Sequence, residues 1–522
     1  MKALRGLIPI LLILCILTAC GSAGGGGAEV SATPNAMASP EETKSSGEFT
    51  LPYFALAGLN PYTCANSTNR VFFPLIWESL FHVDNTFHPV PILCESYEAG
   101  QDGASYTLKL RDSVSFSDGT ALSAADVVYS LNMAKASGSQ YSARLSGISG
   151  VRAEGRGTVL LTLSAPNGDL PVLLDFPIVK ENSLEGTPVG TGPYAFTETR
   201  GSYALKANAG WWQKAVLPLN TIRLCGVTTP DQLVYGMRTY ELDLVTTDFT
   251  GISAPGYSGD YQVWDYPTAN MVYLGFNLKS GALTDAGLRR ALSMGVDRTA
   301  IVSSCFFRHG QAAALPVSPC SGYYDESLAK TLSYSPQNME NALKSAGYLE
   351  VKDTDGDGTP DETVMSPLTL RLLVCSDNQN KVKAAQAVQQ NLETVGIRVT
   401  RKELPFAEYE SALKNGGYDL YLAEAKLTAD FDLSALLGSG GTLNFGGYQS
   451  AQADVLLSEW KVSSGGQRKD DFKKLYQLLA SDAPILPLLF KSDSVLTHRE
   501  AVSGLAPTEG SVFSGLADWK FS

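Results

Sequence analysis

"YTLKLRDSVSFSDGTALSAADVVYSLNMAKASG", residues 106–138, holds a strand, a turn and a helix in one run. Tyr106, Leu108 and Leu110 alternate with Thr107, Lys109 and Arg111, the period of a half-buried strand. "SDGT", residues 117–120, is a turn signal. Ser123 with Asp126 three residues later predicts a capped helix whose apolar side carries Val127, Val128 and Leu131. "RGTVLLTLSAP" then returns as a strand.

The same alternation organises the second half. In "TDAGLRRALSMGVDRTAIV" Leu288, Ala291 and Leu292 share a helical face. "SPQNMENALKSAGY" places Ser335 as N-cap, Pro336 at the first helical position and Gly347 past the end, with Met339, Leu343 and Ala346 inward. "TLRLLVC" reads as a strand. "KVKAAQAVQQNLETVG" reads as a helix burying Ala385, Val388, Leu392 and Val395. "IRVTRKEL", "FAEYESALKNGG" and "YDLYLAEA" continue as strand, helix and strand. Strand–helix–strand order predicts a largely parallel sheet covered by helices. "GTGPYA", residues 190–195, fits a dinucleotide pattern in letters only: Pro193 and the alternation after it predict a turn into strands, not a helix start.

With 522 residues the chain exceeds one ordinary core, and two or more lobes are expected. A formal net charge of −13 argues against nucleic acid as a partner. "MKALRGLIPILLILCILTAC" has Lys2 and Arg5, a short apolar run and small residues before Cys20, the form of a signal peptide. "LTAC", residues 17–20, has the form of a lipobox, which makes Cys20 the expected lipidation site and the first mature residue. The Gly/Ser/Ala/Pro-rich stretch after it reads as a flexible tether to a lipid anchor. Cys64, Cys94, Cys225, Cys305, Cys320 and Cys375 remain. Cys305 with Cys320 would close a short local loop, and unpaired buried thiols are equally consistent with the spacing.

Nothing in the motifs supports catalysis. The four histidines, at 82, 88, 309 and 498, have no metal-ligand spacing, and no GxSxG, Walker or Cys/His signature occurs. The chain reads as a binding protein rather than an enzyme. "DTDGDGTPDE", residues 353–362, is a cation-loop pattern. Asp353, Asp355 and Asp357 hold positions 1, 3 and 5, and Gly358 position 6, but position 12 is Val364 instead of glutamate. Asp361, with the carbonyl of Thr359, closes a shorter loop suited to a structural calcium ion; no other cofactor is required.

Taken in order, these segments resemble the family 5 extracellular solute-binding proteins, the oligopeptide-, dipeptide- and nickel-binding receptors of ABC importers. The resemblance runs from about residue 55 to the end. It rests on "LIWESLFHVDNTFHPVPILCESYEAGQDG", "YTLKLRDSVSFSDGTALSAADVVYSL", "GTGPY", "YLGFNLKSGALTDAGLRRALSMGVDRTAIV", "SPQNMENALKSAGY" and "YDLYL" in family order. It implies an α/β, two-lobed periplasmic-binding-protein-like (type II) fold with an extra subdomain in the first lobe and two hinge strands. The expected layout is a signal peptide at 1–19 and a tether at 20–48. The first lobe takes 49–81, 186–276 and 488–522, the extra subdomain 82–185 and the second lobe 277–487. The hinges fall near "VYLGFN" and "ILPLLF".

The function implied is capture of di- or oligopeptides between the lobes and delivery to the permease subunits of an ABC transporter, by a monomer anchored outside the cytoplasm. Other solutes on the same fold (a nickel chelate, an opine-like compound, an oligosaccharide) are the alternative. A calcium-dependent surface or adhesion lipoprotein is the alternative from another class. In "LTADFDLSALLGSGGTLNFGGY" the resemblance makes Asp430 the partner of a ligand ammonium, flanked by Thr428, Ala429 and Phe431; Leu427, Leu433 and Ser434 depart from the family's wording. Ala65 and Asn66, in "TCANST", would lend backbone hydrogen bonds, and Tyr273 at the first hinge would face ligand. Trp211 and Trp212 are expected to serve packing.

Overall fold

Tyr261–Phe276 and Ile485–His498 are the two longest strands, and they run antiparallel beside each other, from Tyr261 opposite His498 to Gly275 opposite Ile485. They occupy the two expected hinge regions. Their register slips between Pro267 and Met271, next to a proline that has no N–H to give to the ladder. The structure, a computed structural model, describes residues 48–279, 281–352 and 362–522.

These strands sit inside a mixed sheet ordered Leu244–Thr247, Ile485–His498, Tyr261–Phe276, Leu420–Lys426, Thr369–Cys375, Arg398–Leu404. Thr369–Cys375 is parallel to both of its neighbours, because the helices Gln379–Glu393 and Phe406–Asn415 carry the chain back across the sheet. The remaining pairs are antiparallel, so the largely parallel sheet expected from the sequence is confined to three strands. A strand that passes between lobes pairs directly with its returning partner and needs no crossover. Leu288, Leu292, Met339, Leu343, Val388 and Leu392 fill the core on the helical side. Ser335 caps its helix by accepting from the Asn338 N–H at 3.2 Å, and Gly347 turns the chain out at φ +78°.

The opening motif folds as its pattern predicts. Ser105–Leu110 is a strand with Tyr106, Leu108 and Leu110 buried. Ala124–Lys135 is a helix, and the Ser123 N–H and hydroxyl both donate to Asp126, at 2.9 and 2.7 Å. The strand joins an antiparallel sheet ordered Cys94–Ala99, Ser105–Leu110, Thr158–Leu163, Ile148–Glu154. A second small sheet holds Phe49–Tyr53, Thr221–Gly226, Ser202–Ala207 and Tyr194–Thr199. Gly190 and Gly192, the glycines of "GTGPYA", lie against the end of the helix Ser67–Ile76: a Cβ on Gly190 would stand 1.9 Å from the Ile76 carbonyl oxygen. They are there for close backbone approach, not for a nucleotide.

Leu349–Lys352 and Glu362–Met365 pair as an antiparallel hairpin. The expected calcium ligands Asp353, Asp355, Asp357, Thr359 and Asp361 lie outside the described residues, as do Cys20 and the rest of 1–47. Cys305 and Cys320 form no disulfide with each other. Among the described residues, no helix is long and apolar enough to cross a membrane.

Gly190→Ala is expected to destabilise the fold by about 2 kcal/mol or more, since the clash is with backbone. Gly147→Ala, where the added methyl meets nothing within 4 Å, is the neutral control. Urea unfolding of the two variants checks this.

Candidate functional site

A cavity of about 890 Å³ opens between the helix Ser67–Ile76, the 82–92 and 140–144 stretches, the segment leaving the strand Leu420–Lys426, and the C-terminal 509–517 stretch. Each wall is held in place by a specific bond. The Ser67–Ile76 helix is capped by Asn66, whose side chain accepts from the Asn69 N–H at 2.9 Å. Buried Asn69 in turn donates to the Phe54 and Gly58 carbonyls and accepts from the Phe54 N–H. Arg70, Phe73 and Pro74 are thereby presented to the cavity.

Deeper in, the Glu78 carboxylate takes three donors: Trp211 Nε1 at 3.1 Å, Trp212 Nε1 at 2.7 Å and Gln213 Nε2 at 3.2 Å. Burial pushes its pKa up, and the indole N–H groups work against that. Trp211 is therefore both a brace and part of the wall, more than the packing residue expected. His82 closes another corner. Its Nε2 meets the hydroxyls of Thr508 at 3.2 Å and Ser514 at 3.3 Å, which stitches the 82–92 stretch to the C-terminal segment. Burial lowers its pKa against the pull of Asp175 and Asp84.

The remaining wall carries both charge signs. Lys426 Nζ pairs with Glu509 at 2.9 Å, and the other Glu509 oxygen accepts from the Ala269 N–H of the first hinge strand. Leu427 N–H donates to the Ala269 carbonyl at 3.0 Å, so the segment 426–429 starts locked to that hinge strand. Leu427, Thr428 and Ala429 then line the cavity.

The chain turns away immediately after. Phe431 adopts a left-handed φ of +55°, buried edge-on against Phe87 and Phe490. Asp430 is 4% exposed, accepts from the Thr428 hydroxyl, and lies behind the wall rather than in it. Its surroundings already hold a cation. Arg468, 1% exposed, donates Nη2 to the Asp430 carbonyl at 3.4 Å, Nη1 to the Trp460 carbonyl at 3.0 Å, and stacks 4.3 Å from the Trp460 ring. Burial, set against Thr428 and Arg468, raises the Asp430 pKa. The Asp430 carboxylate, expected to meet a ligand ammonium, is set behind the cavity wall in this structure, with the Thr428 hydroxyl and the Asp432 N–H as its donors.

The other expected ligand-facing residues lie as follows. Tyr273 is buried against Tyr421 in the hinge. Ala65 is exposed and Asn66 caps the Ser67–Ile76 helix with its side chain, so both sit at that helix's start. Neither these residues nor Phe431 belongs to the cavity wall. The calcium loop also lies apart from it in sequence, beyond the described residues.

A clasp joins the two halves away from the cavity. The Gly168 N–H donates to the Lys461 carbonyl at 2.5 Å, and a Cβ on Gly168 would stand 2.1 Å from the Ser463 carbonyl oxygen. Asp169 pairs with Arg468 at 3.3 Å and accepts from the Tyr323 hydroxyl at 3.5 Å. Burial pushes Asp169 up to about 6; Arg468 and His88 oppose the shift and Asp430 adds to it.

The comparisons agree with this architecture. Residues 88–441 match the model of the bacterial extracellular solute-binding proteins, family 5 (middle). The oligopeptide-binding protein AppA of Bacillus subtilis is 25% identical over 448 residues, covering 80% of this chain and 81% of the relative. Heme-binding protein A of Haemophilus influenzae is 22% identical over 453 residues, covering 76% and 78%. The solved structure of HbpA2 from Haemophilus parasuis superposes with a TM-score of 0.73 at 20% identity, over 91% of this chain and 99% of that one. At that identity the likeness establishes the fold alone: two lobes around a cleft.

Because the Asp169 pKa is raised on folding, its contribution to stability is greatest below about pH 4 and is lost as pH rises through about 6. Raising pH from 5 to 7 is expected to lower the Tm of the wild type more than that of Asp169→Asn, read by calorimetry. Equal shifts would remove proton linkage from the clasp.

Proposed function

The chain belongs to the family 5 bacterial extracellular solute-binding proteins, the ABC-transporter substrate-binding type, and from that premise we propose that its solute is a short peptide. The observation that carries the reading is the cavity's make-up. It is roomy, walled largely by aromatic and aliphatic side chains, and interrupted by two ion pairs, Lys426–Glu509 and Arg144–Asp175, which place both charge signs on the wall. A free peptide brings an ammonium, a carboxylate and mixed side chains, and matches each of these features. The AppA relative, named for oligopeptides, supports the same reading.

Capture proceeds by closure of the lobes about the paired hinge strands, with the closed form presented to the permease subunits. The receptor acts as a monomer held at the outer face of the membrane by lipid on Cys20, which the lipobox supports. A Cys20→Ala variant is expected to leave the membrane fraction and to take up no labelled palmitate.

Protein lacking residues 1–20 is expected to co-purify with peptides detectable by mass spectrometry, and to bind a short-peptide library in calorimetry. Haem and a nickel–histidine chelate serve as competitors; binding of either in place of every peptide would overturn the ligand class. Ala429→Trp, which fills the cavity from its wall, is expected to weaken peptide binding at least tenfold with Tm unchanged.

A further inference from the structure

The clasp away from the cavity joins two parts of the chain that the hinge strands separate. Gly168 and Asp169 come before Tyr261–Phe276, whereas Tyr323, Lys461, Ser463 and Arg468 lie between that strand and Ile485–His498. Two ring pairs widen the same joint: Phe87 meets Phe431 edge-on at 4.8 Å, and His88 stacks on Tyr323 at 6.1 Å. The fit leaves no slack. The Gly168 N–H reaches the Lys461 carbonyl, and a Cβ at 168 would run into the Ser463 carbonyl oxygen. The side-chain half is less complete. Arg468 Nε, 3.3 Å from Asp169 Oδ2, is buried without a hydrogen-bond acceptor, so the closed joint leaves unused a donor that water would satisfy.

We propose that this joint is a latch that holds the lobes shut and parts each time the hinge opens. It rests on the hinge motion and not on the peptide reading, since it acts whatever the solute. Parting the joint takes Asp169 away from Arg468 and Tyr323 and returns it to water. In the joint, burial pushes the Asp169 pKa up to about 6; Asp430 adds to the shift, and Arg468 and His88 oppose it. The hydroxyls of Tyr323, Tyr97 and Tyr106 also face it, while Lys461 is paired with Asp432 at 2.9 Å. The closed form thus holds the Asp169 proton more tightly than the open form. Closure is favoured as pH falls through about 6, and the advantage fades above it. Between pH 7.5 and pH 5 the ratio of closed to open protein is expected to rise about tenfold.

Small-angle X-ray scattering of ligand-free protein at pH 5 and pH 7.5 reads the latch directly. The protein used lacks residues 1–20, a cut that ends well before the first strand at Phe49. Wild type is expected to expand on going from pH 5 to pH 7.5, and Asp169→Asn to change its closed-to-open ratio by less than about twofold. Gly168→Ala wedges the joint at the Ser463 carbonyl without touching the hinge strands. It is expected to be expanded at both pH values and still to unfold cooperatively, with Gly147→Ala as the control that keeps the wild-type radius. A wild-type radius for Gly168→Ala at both pH values would overturn the latch, as would equal pH responses in wild type and Asp169→Asn. Loss of cooperative unfolding in Gly168→Ala would show a permanent seam instead of a latch. None of these three outcomes bears on the ligand class, which the peptide calorimetry decides separately.

Discussion

The pairing of Tyr261–Phe276 with Ile485–His498 is the constraint to which the rest of the molecule answers. Lobes that hinge must stay joined while they move, and a ladder of backbone hydrogen bonds bends without coming apart. Charge reinforces it. Lys491 on the second strand, 3% exposed, pairs with Asp248 at 2.5 Å and Glu424 at 3.5 Å, and Glu424 pairs with Lys381 at 2.7 Å. One chain of ions thus runs from the Leu244–Thr247 edge of the sheet, through the hinge, to the helix Gln379–Glu393. Asp493, two residues on, is pushed up to about 7 by burial and by the neighbouring Asp248 and Glu509. The hinge and the cavity wall accordingly share charged groups.

Two kinds of contact then meet across the cleft. The cavity side carries the Lys426–Glu509 pair, with Lys426 largely exposed, the kind of ion pair that exchanges with water or ligand at little cost. The clasp side is dry: Arg468 is enclosed by Trp460, Phe472 and Tyr323, and Gly168 lies against bare backbone. Rupture of the dry side is costly, whereas rearrangement of the wet side is cheap. Discrimination among ligands therefore belongs to the wet side and rigidity to the dry one.

The regular elements were legible because their causes are local. Ser123 and Asp126, or Ser335, Pro336 and Gly347, carry their own instructions within a turn of helix. The cavity was legible only where it coincides with one segment, at Thr428 and Ala429. Its other working groups are assembled from afar: His82 meets Thr508 and Ser514 more than 400 positions away, and Glu78 gathers three donors from 211–213. Asp430 shows the limit most clearly. Sequence could supply an acid in a suggestive context, but not the buried Arg468, 38 positions on, that shares its site. Glycine gave a signal of its own. The letters of "GTGPYA" reported two backbones in contact, a cause that no local pattern separates from a nucleotide loop.

Phe49, in the first strand of the body, packs edge-on against Trp519 and Phe521 at its very end. The opening strand cannot reach its final environment until the last few residues exist. Contacts of such high sequence separation form late, so this lobe closes only once its most distant segments have met.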